Sequence, residues 1–118
     1  MPPKINALGL NPLQRRTLVL LQALSKDPDC GTKDEATGDV VITRFPYAHG
    51  NHFHVGEAVV ATADATGLTN EAVWKALERK GLAKSEFPNG IRLTPAGLEY
   101  NTGIADQVLQ RPDGVHGH

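Results

Sequence analysis

Leu68-Thr-Asn-Glu-Ala-Val-Trp-Lys-Ala-Leu-Glu-Arg-Lys-Gly-Leu82, continued by Ala83-Lys-Ser-Glu-Phe-Pro-Asn-Gly-Ile-Arg-Leu-Thr-Pro-Ala-Gly97, decides the reading of this chain. Val73, Ala76 and Leu77 recur at helical spacing while Glu71, Lys75, Glu78 and Arg79 take the other side, which predicts an amphipathic helix from a Thr69 cap through Lys80. Gly81 stops it, because glycine accepts a positive φ cheaply, and Leu82 is its apolar partner. Ala83 to Glu86 and Ile91 to Leu93 then flank Phe87-Pro88-Asn89-Gly90, where Asn-Gly predicts a type I′ hairpin turn. Thr94-Pro95, a capping residue followed by proline at the first helical position, opens another helix.

Upstream, Asn11-Pro12-Leu13-Gln14 has the form of a capping box, with Gln14 placed to reach back to the cap. Leu13, Thr17, Leu20, Leu21 and Leu24 form the stripe of a first helix that Asp27-Pro28 ends. Asp29 to Asp39 has glycines and charges without an apolar period and reads as a loop. Val40 to Phe45 reads as a strand, Pro46 stops it, and His52 to Val55 returns after a Gly50-Asn51 turn as a second extended segment. Glu57 to Thr66 reads as a second helix with a small-residue face, and Gly67 as a turn at positive φ. After Thr94 a last helix is expected, with Leu98, Ile104 and Val108 packing on the first helix or on another subunit; Gly103 weakens it in the middle.

The chain has 118 residues, enough for one core without staples. Residues 1–10 read as an N-terminal arm, 11–108 as one domain and 109–118 as a disordered tail. A single cysteine, Cys30, excludes an internal disulfide framework and favours a reducing, cytoplasmic setting. Neither a leader nor a membrane span is expected: Met1 to Leu10 lacks an apolar h-region, and Leu18 to Leu21 is far too short to cross a bilayer. The net charge of -1 argues against a general nucleic-acid coat protein, so contact with DNA requires a local basic face.

Three stretches carry a family likeness: Ala63-x-x-x-Gly67-Leu68 as a turn between helices, Leu77-Glu78-Arg79-Lys80-Gly81-Leu82 as a helix end, and Ile91-Arg92-Leu93-Thr94-Pro95-Ala96-Gly97 closing a hairpin. Together they resemble the winged helix-turn-helix superfamily of bacterial and archaeal transcription regulators, MarR-like and related small regulators in particular. The likeness covers roughly residues 55–100, with Asn11 to Leu24 as its first helix. It implies a mainly α fold with a small β wing: a three-helix core, a two- or three-stranded hairpin and a C-terminal helix. It also implies duplex DNA as partner, the third helix in the major groove and the wing on the backbone. A homodimer through the terminal helices would read half-sites about one helical turn apart.

On that likeness Thr69, Asn70, Glu71, Lys75 and Arg79 contact DNA from the third helix, and Lys84 and Arg92 from the wing. Asparagine reads adenine in a bidentate way, and Arg or Lys reads guanine or grips phosphate. The plainer alternative is a solvated helix face with an attractive Glu71–Lys75 pair and a hairpin edge protected by charge. Leu68 to Tyr100 holds five Lys and Arg against four Glu, so the local field is weakly positive. Arg15 and Arg16 are either phosphate contacts or plain helix surface. Trp74 lies beside the Val73 and Leu77 stripe and reads as a core or subunit-contact residue rather than a base-stacking one.

His49, His52 and His54 have a spacing able to hold Zn, Ni or Cu, with a polar hairpin as the alternative and no second ligand cluster in sequence. No nucleophile elbow, P-loop, HExxH or dinucleotide fingerprint occurs, so neither an enzyme nor a bound cofactor is expected. Two rivals to the DNA reading stand: a protein-interaction adaptor using the same surface, and a metal- or ligand-responsive regulator using the histidine segment.

Overall fold

The computed structural model describes residues 4–46, 50–55 and 58–110. Helix α1, Pro12–Ser25, begins as its sequence dictates: the Asn11 side chain accepts from Gln14 N–H at 2.8 Å, and Gln14 Oε1 accepts from Asn11 N–H at 3.1 Å. Its buried set is wider than one stripe and comprises Thr17, Leu18, Val19, Leu20, Leu21 and Leu24. A helix apolar on most sides has to be surrounded. Accordingly α1 is the centre of the molecule, touching both sheets and every other helix.

Among the described residues six strands form two antiparallel sheets. β1 (Gly31–Lys33), β2 (Val40–Ile42), β5 (Ala83–Glu86) and β6 (Gly90–Leu93) make one sheet in the order β1-β2-β6-β5; β3 (His52–Val55) and β4 (Ala58–Ala61) make the other. In the larger sheet Val40, Ile42, Ala83, Ile91 and Leu93 are buried toward α1, and the alternation puts Val41, Lys84 and Arg92 on the outer face. The expectation of a mainly α fold with a small wing is therefore overturned. The protein is α+β, with a four-stranded antiparallel sheet plus a two-stranded one.

The second expected helix accounts for much of the difference. Glu57 is outside the described residues; Ala58–Ala61 is β4, paired with β3 in the register His52↔Ala61 to Val55↔Ala58, and Thr62–Thr69 is a 3-10 helix. Adjacent β-branched Val59 and Val60 favour extended backbone once a partner strand is at hand, and His52–Val55 supplies it. Gly67 is also needed for another reason than the one its sequence suggests. Its φ is not positive; a Cβ there would overlap the Thr17 hydroxyl, so it lets the 3-10 segment lie against α1. Gly67→Ala is expected to cost about 1–3 kcal/mol by overpacking, read as a lowered midpoint in urea unfolding; an unchanged midpoint would show that α1 yields at this contact.

Helix α2, Glu71–Arg79, ends in a Schellman motif at the expected place: Leu82 N–H donates to Leu77 O at 3.0 Å, Gly81 N–H to Glu78 O at 3.0 Å, and Gly81 has φ +77°. The hairpin also turns where expected, but by another turn. Neither Asn89 nor Gly90 has a positive φ; Asn89 N–H closes on Glu86 O at 2.8 Å around a cis Phe87–Pro88 bond. Gly90 serves close approach, since a Cβ there would stand 2.8 Å from Ile42 O on β2.

The last expected helix is two short pieces, α3 (Pro95–Glu99) and α4 (Ala105–Val108), separated by a segment in which Gly103 has φ +76°. Val108 is buried within its own chain, and α3 and α4 both touch α1. Residues 4–10 are tied down: Asn6 N–H donates to Asn101 O at 2.8 Å, Tyr100 Oη donates to Asn6 Oδ1 at 2.7 Å, and Leu10 is buried. At the other end Gln110 bridges Val59 by reciprocal backbone bonds. No helix among the described residues is long and apolar enough to cross a membrane.

Candidate nucleic-acid interface

One side of α2 is wholly committed to packing. Val73, Trp74, Ala76 and Leu77 are buried, and Trp74 sits between Phe45 and Phe87 with ring centroids 5.7 and 4.8 Å away. Its indole Nε1–H donates to Gly67 O at 3.0 Å, which fixes the start of α2 relative to the 3-10 segment. Trp74 is thus a core residue, as its place beside the apolar stripe suggested. The other side of α2 exposes Glu71, Lys75, Glu78 and Arg79, followed by Lys80.

The two acids on that face are both engaged. Glu71 pairs with Lys75 at 3.5 Å, an exposed (i, i+4) contact worth about 0.3–0.5 kcal/mol. Glu78 Oε1 accepts from Ser85 N–H at 3.1 Å and so ties α2 to β5. Arg79 has no ion-pair partner among the described residues. Lys80, not singled out from sequence, reaches Leu8 O at 3.3 Å. Thr69 is exposed at the end of the 3-10 helix and donates to Thr66 O at 3.3 Å. Asn70 is the N-cap of α2, its Oδ1 accepting from Ala72 N–H at 3.0 Å; that acceptor would be half of a bidentate adenine contact, so Asn70 is occupied by structure.

The hairpin cations are held more tightly than their sequence suggests. Lys84 and Arg92 stand directly opposite one another on β5 and β6. Arg92 Nη1 donates to Asp34 Oδ2 at 2.8 Å and to Asp39 Oδ2 at 3.2 Å, and Lys84 Nζ lies 3.8 Å from the same Asp39 oxygen. Asp39 is almost fully buried. Both acids lie in the Asp29 to Asp39 stretch that reads as a loop from sequence but contains β1, Gly31–Lys33, paired with β2. The signal for order was local: Asp34 Oδ1 accepts from Ala36 N–H at 3.0 Å, an Asx turn, and Gly38 follows at φ +80°.

The bond from Arg92, helped by the Ala36 amide, lowers the Asp34 carboxyl below its ordinary value, and Asp34, then Asp39, raises the guanidinium. A carboxylate depressed in the folded state stabilises fully above its unfolded value, near 4, and that contribution disappears as pH falls through the lower folded value. Asp34→Asn is therefore expected to flatten the acid limb of stability below about pH 4, measured as urea midpoints between pH 2 and 7. An unchanged acid limb would remove the pair from this role.

Arg15 and Arg16 turn inward rather than outward. Arg15 donates through Nε and Nη2 to Thr102 O at 3.1 and 2.7 Å, and Arg16 Nε lies 3.8 Å from Asp64. His52 and His54 stand together on β3 with ring centroids 5.3 Å apart; His49 lies outside the described residues. Among the described residues no group of three His, Cys, Asp or Glu is placed to hold a metal ion. Comparison with family models, curated proteins and solved structures finds no match.

Proposed function

We propose that this protein binds duplex DNA as a small cytoplasmic transcription regulator, laying α2 in the major groove with the β5–β6 hairpin on neighbouring backbone. The observation that carries this reading is the two-sidedness of α2. Its buried side is locked by Trp74, while Lys75 and Arg79 stand on the exposed side, with Glu78 tied to Ser85 N–H and Glu71 held only in an exposed pair with Lys75. The likeness to winged helix-turn-helix regulators belongs to the proposal; it is supported by α2 following directly on a short 3-10 connection and running straight into a hairpin. Within the reading, Lys75 and Arg79 grip guanine or phosphate, Thr69 meets phosphate ahead of α2, Glu71 orients Lys75, and Asn70 caps the start of α2. A homodimer reading two half-sites is part of it, tested by whether sedimentation shows a species heavier than the 12.7 kDa chain.

Titration of a randomised duplex pool by fluorescence anisotropy at two salt concentrations tests the core claim. Affinity should fall with salt at a slope of about 0.9 per phosphate contacted; no binding at low salt would end it. The neutralised hairpin cations favour a second reading, a protein-docking module using the same α2 surface.

A further inference from the structure

The outer face of the larger sheet presents an electrostatic problem and its solution. Lys84 and Arg92 are directly opposed in register, an arrangement of like charges that destabilises a strand pair unless an anion stands between them. The β1–β2 loop provides that anion twice, through Asp34 and Asp39. A stretch of DNA backbone would provide it equally well.

We infer that Asp34 on the β1–β2 loop competes with nucleic-acid phosphate for Arg92, so that Asp34 masks the hairpin in the free protein and duplex binding draws Arg92 away from it, while the buried Asp39 stays paired. This rests on the duplex-binding reading. Three features fit an exchangeable contact better than a permanent one. Lys84 is mostly exposed and lies 3.8 Å from Asp39, beyond hydrogen-bond length, so it can turn to a phosphate while Arg92 keeps Asp39 paired. Arg92 spends one nitrogen, Nη1, on both acids; among the described residues Nε and Nη2 have no hydrogen-bond partner and are available to a phosphate. The loop, finally, is closed without Arg92: Asp34 N–H donates to Asp39 O at 2.8 Å, Gly38 N–H to Asp34 O at 2.8 Å, and Asp39 N–H to Thr37 Oγ1 at 3.2 Å. Releasing Arg92 from Asp34 therefore leaves the loop its own backbone bonds and Asp39 its cation.

The test compares wild type, Asp34→Asn, Arg92→Gln and the Asp34→Asn, Arg92→Gln double variant by anisotropy with the randomised duplex at two salt concentrations. Asp34→Asn should bind about 5- to 10-fold tighter at low salt and steepen the salt slope by about 0.9, one added phosphate contact. In the Arg92→Gln background the same change should give no gain. Unaltered affinity and slope in Asp34→Asn would overturn the inference, and so would a gain that persists without Arg92, since that reports only the lost negative charge. Should Asp34→Asn fail to fold, the Arg92 guanidinium 15N resonances of wild type carry the test: they should shift when duplex is added, and unmoved resonances overturn the masking. Absence of duplex binding by every folded variant removes both this inference and the DNA reading. Wild-type binding that needs Lys75 and Arg79 but ignores Asp34 removes the masking alone.

Discussion

Trp74→Ala is expected to lower unfolding free energy by about 3–5 kcal/mol, the range for truncating a large buried aromatic. Trp74 is 1% exposed and is the only tryptophan, so the full volume of its indole becomes a cavity beneath α2. Phe45 loses a ring at 5.7 Å and Phe87 one at 4.8 Å, so the irregular segment after β2, where the expected strand to Phe45 stops short at Ile42, and the hairpin turn lose a common support. Gly67 O loses its indole donor at 3.0 Å within a buried segment, which adds a desolvation penalty of about 1–3 kcal/mol unless water enters. Urea unfolding followed by circular dichroism measures the loss without needing the missing fluorophore. Trp74→Phe keeps one aromatic ring and removes the donor with part of the indole volume, so its loss should fall between wild type and the alanine variant. A loss below about 1 kcal/mol for the alanine variant would mean that α2 is not mounted on this residue.

The second large effect is on affinity. With Lys75 and Arg79 both replaced by alanine, duplex affinity should fall about 10- to 100-fold and the salt slope should weaken by nearly two contacts. Both side chains are exposed, so stability should change by no more than about 0.5 kcal/mol, mostly through loss of the Glu71 pair. That separation of readouts gives the test its force: a folded double variant that binds duplex as wild type does would hand the α2 surface to the protein-docking reading. Asn70→Ala should behave in the opposite way, costing about 1 kcal/mol of stability through the lost cap, because its oxygen already serves Ala72 N–H.

Where local chemistry sets the outcome, the residues could be read directly. The Asn11–Gln14 capping box, the Schellman end at Gly81 and Leu82 and the reversal between β5 and β6 all depend on groups acting within a few positions of their own backbone, and the side of α2 that carries Trp74 follows from helical period. Val59 and Val60 show where such reading stops: alone they permit helix or strand, and only His52–Val55 alongside makes them a strand. Gly67 and Gly90 resemble turn glycines, yet both are there so that a distant segment can come close. At the candidate site, α2 and its exposed cations were legible from periodicity, whereas the engagement of Arg92 was not. Asp34 and Asp39 lie more than fifty positions away from it, and no local pattern records a contact of that span.

By itself, the order of residues determined where α1 begins, which side of α2 is apolar, where α2 ends, and that the following strands form a hairpin; the cap of α2 is Asn70, one residue beyond the expected Thr69. Each of these is a matter of backbone satisfaction and helical or alternating period over short distances. Tertiary structure alone decided that Ala58–Ala61 is a strand, that the C-terminal helical stretch breaks and folds back onto α1, and that the hairpin cations meet two loop carboxylates. Those outcomes depend on which surfaces are buried together and which charges lose water together, quantities that exist only once the chain has closed on itself.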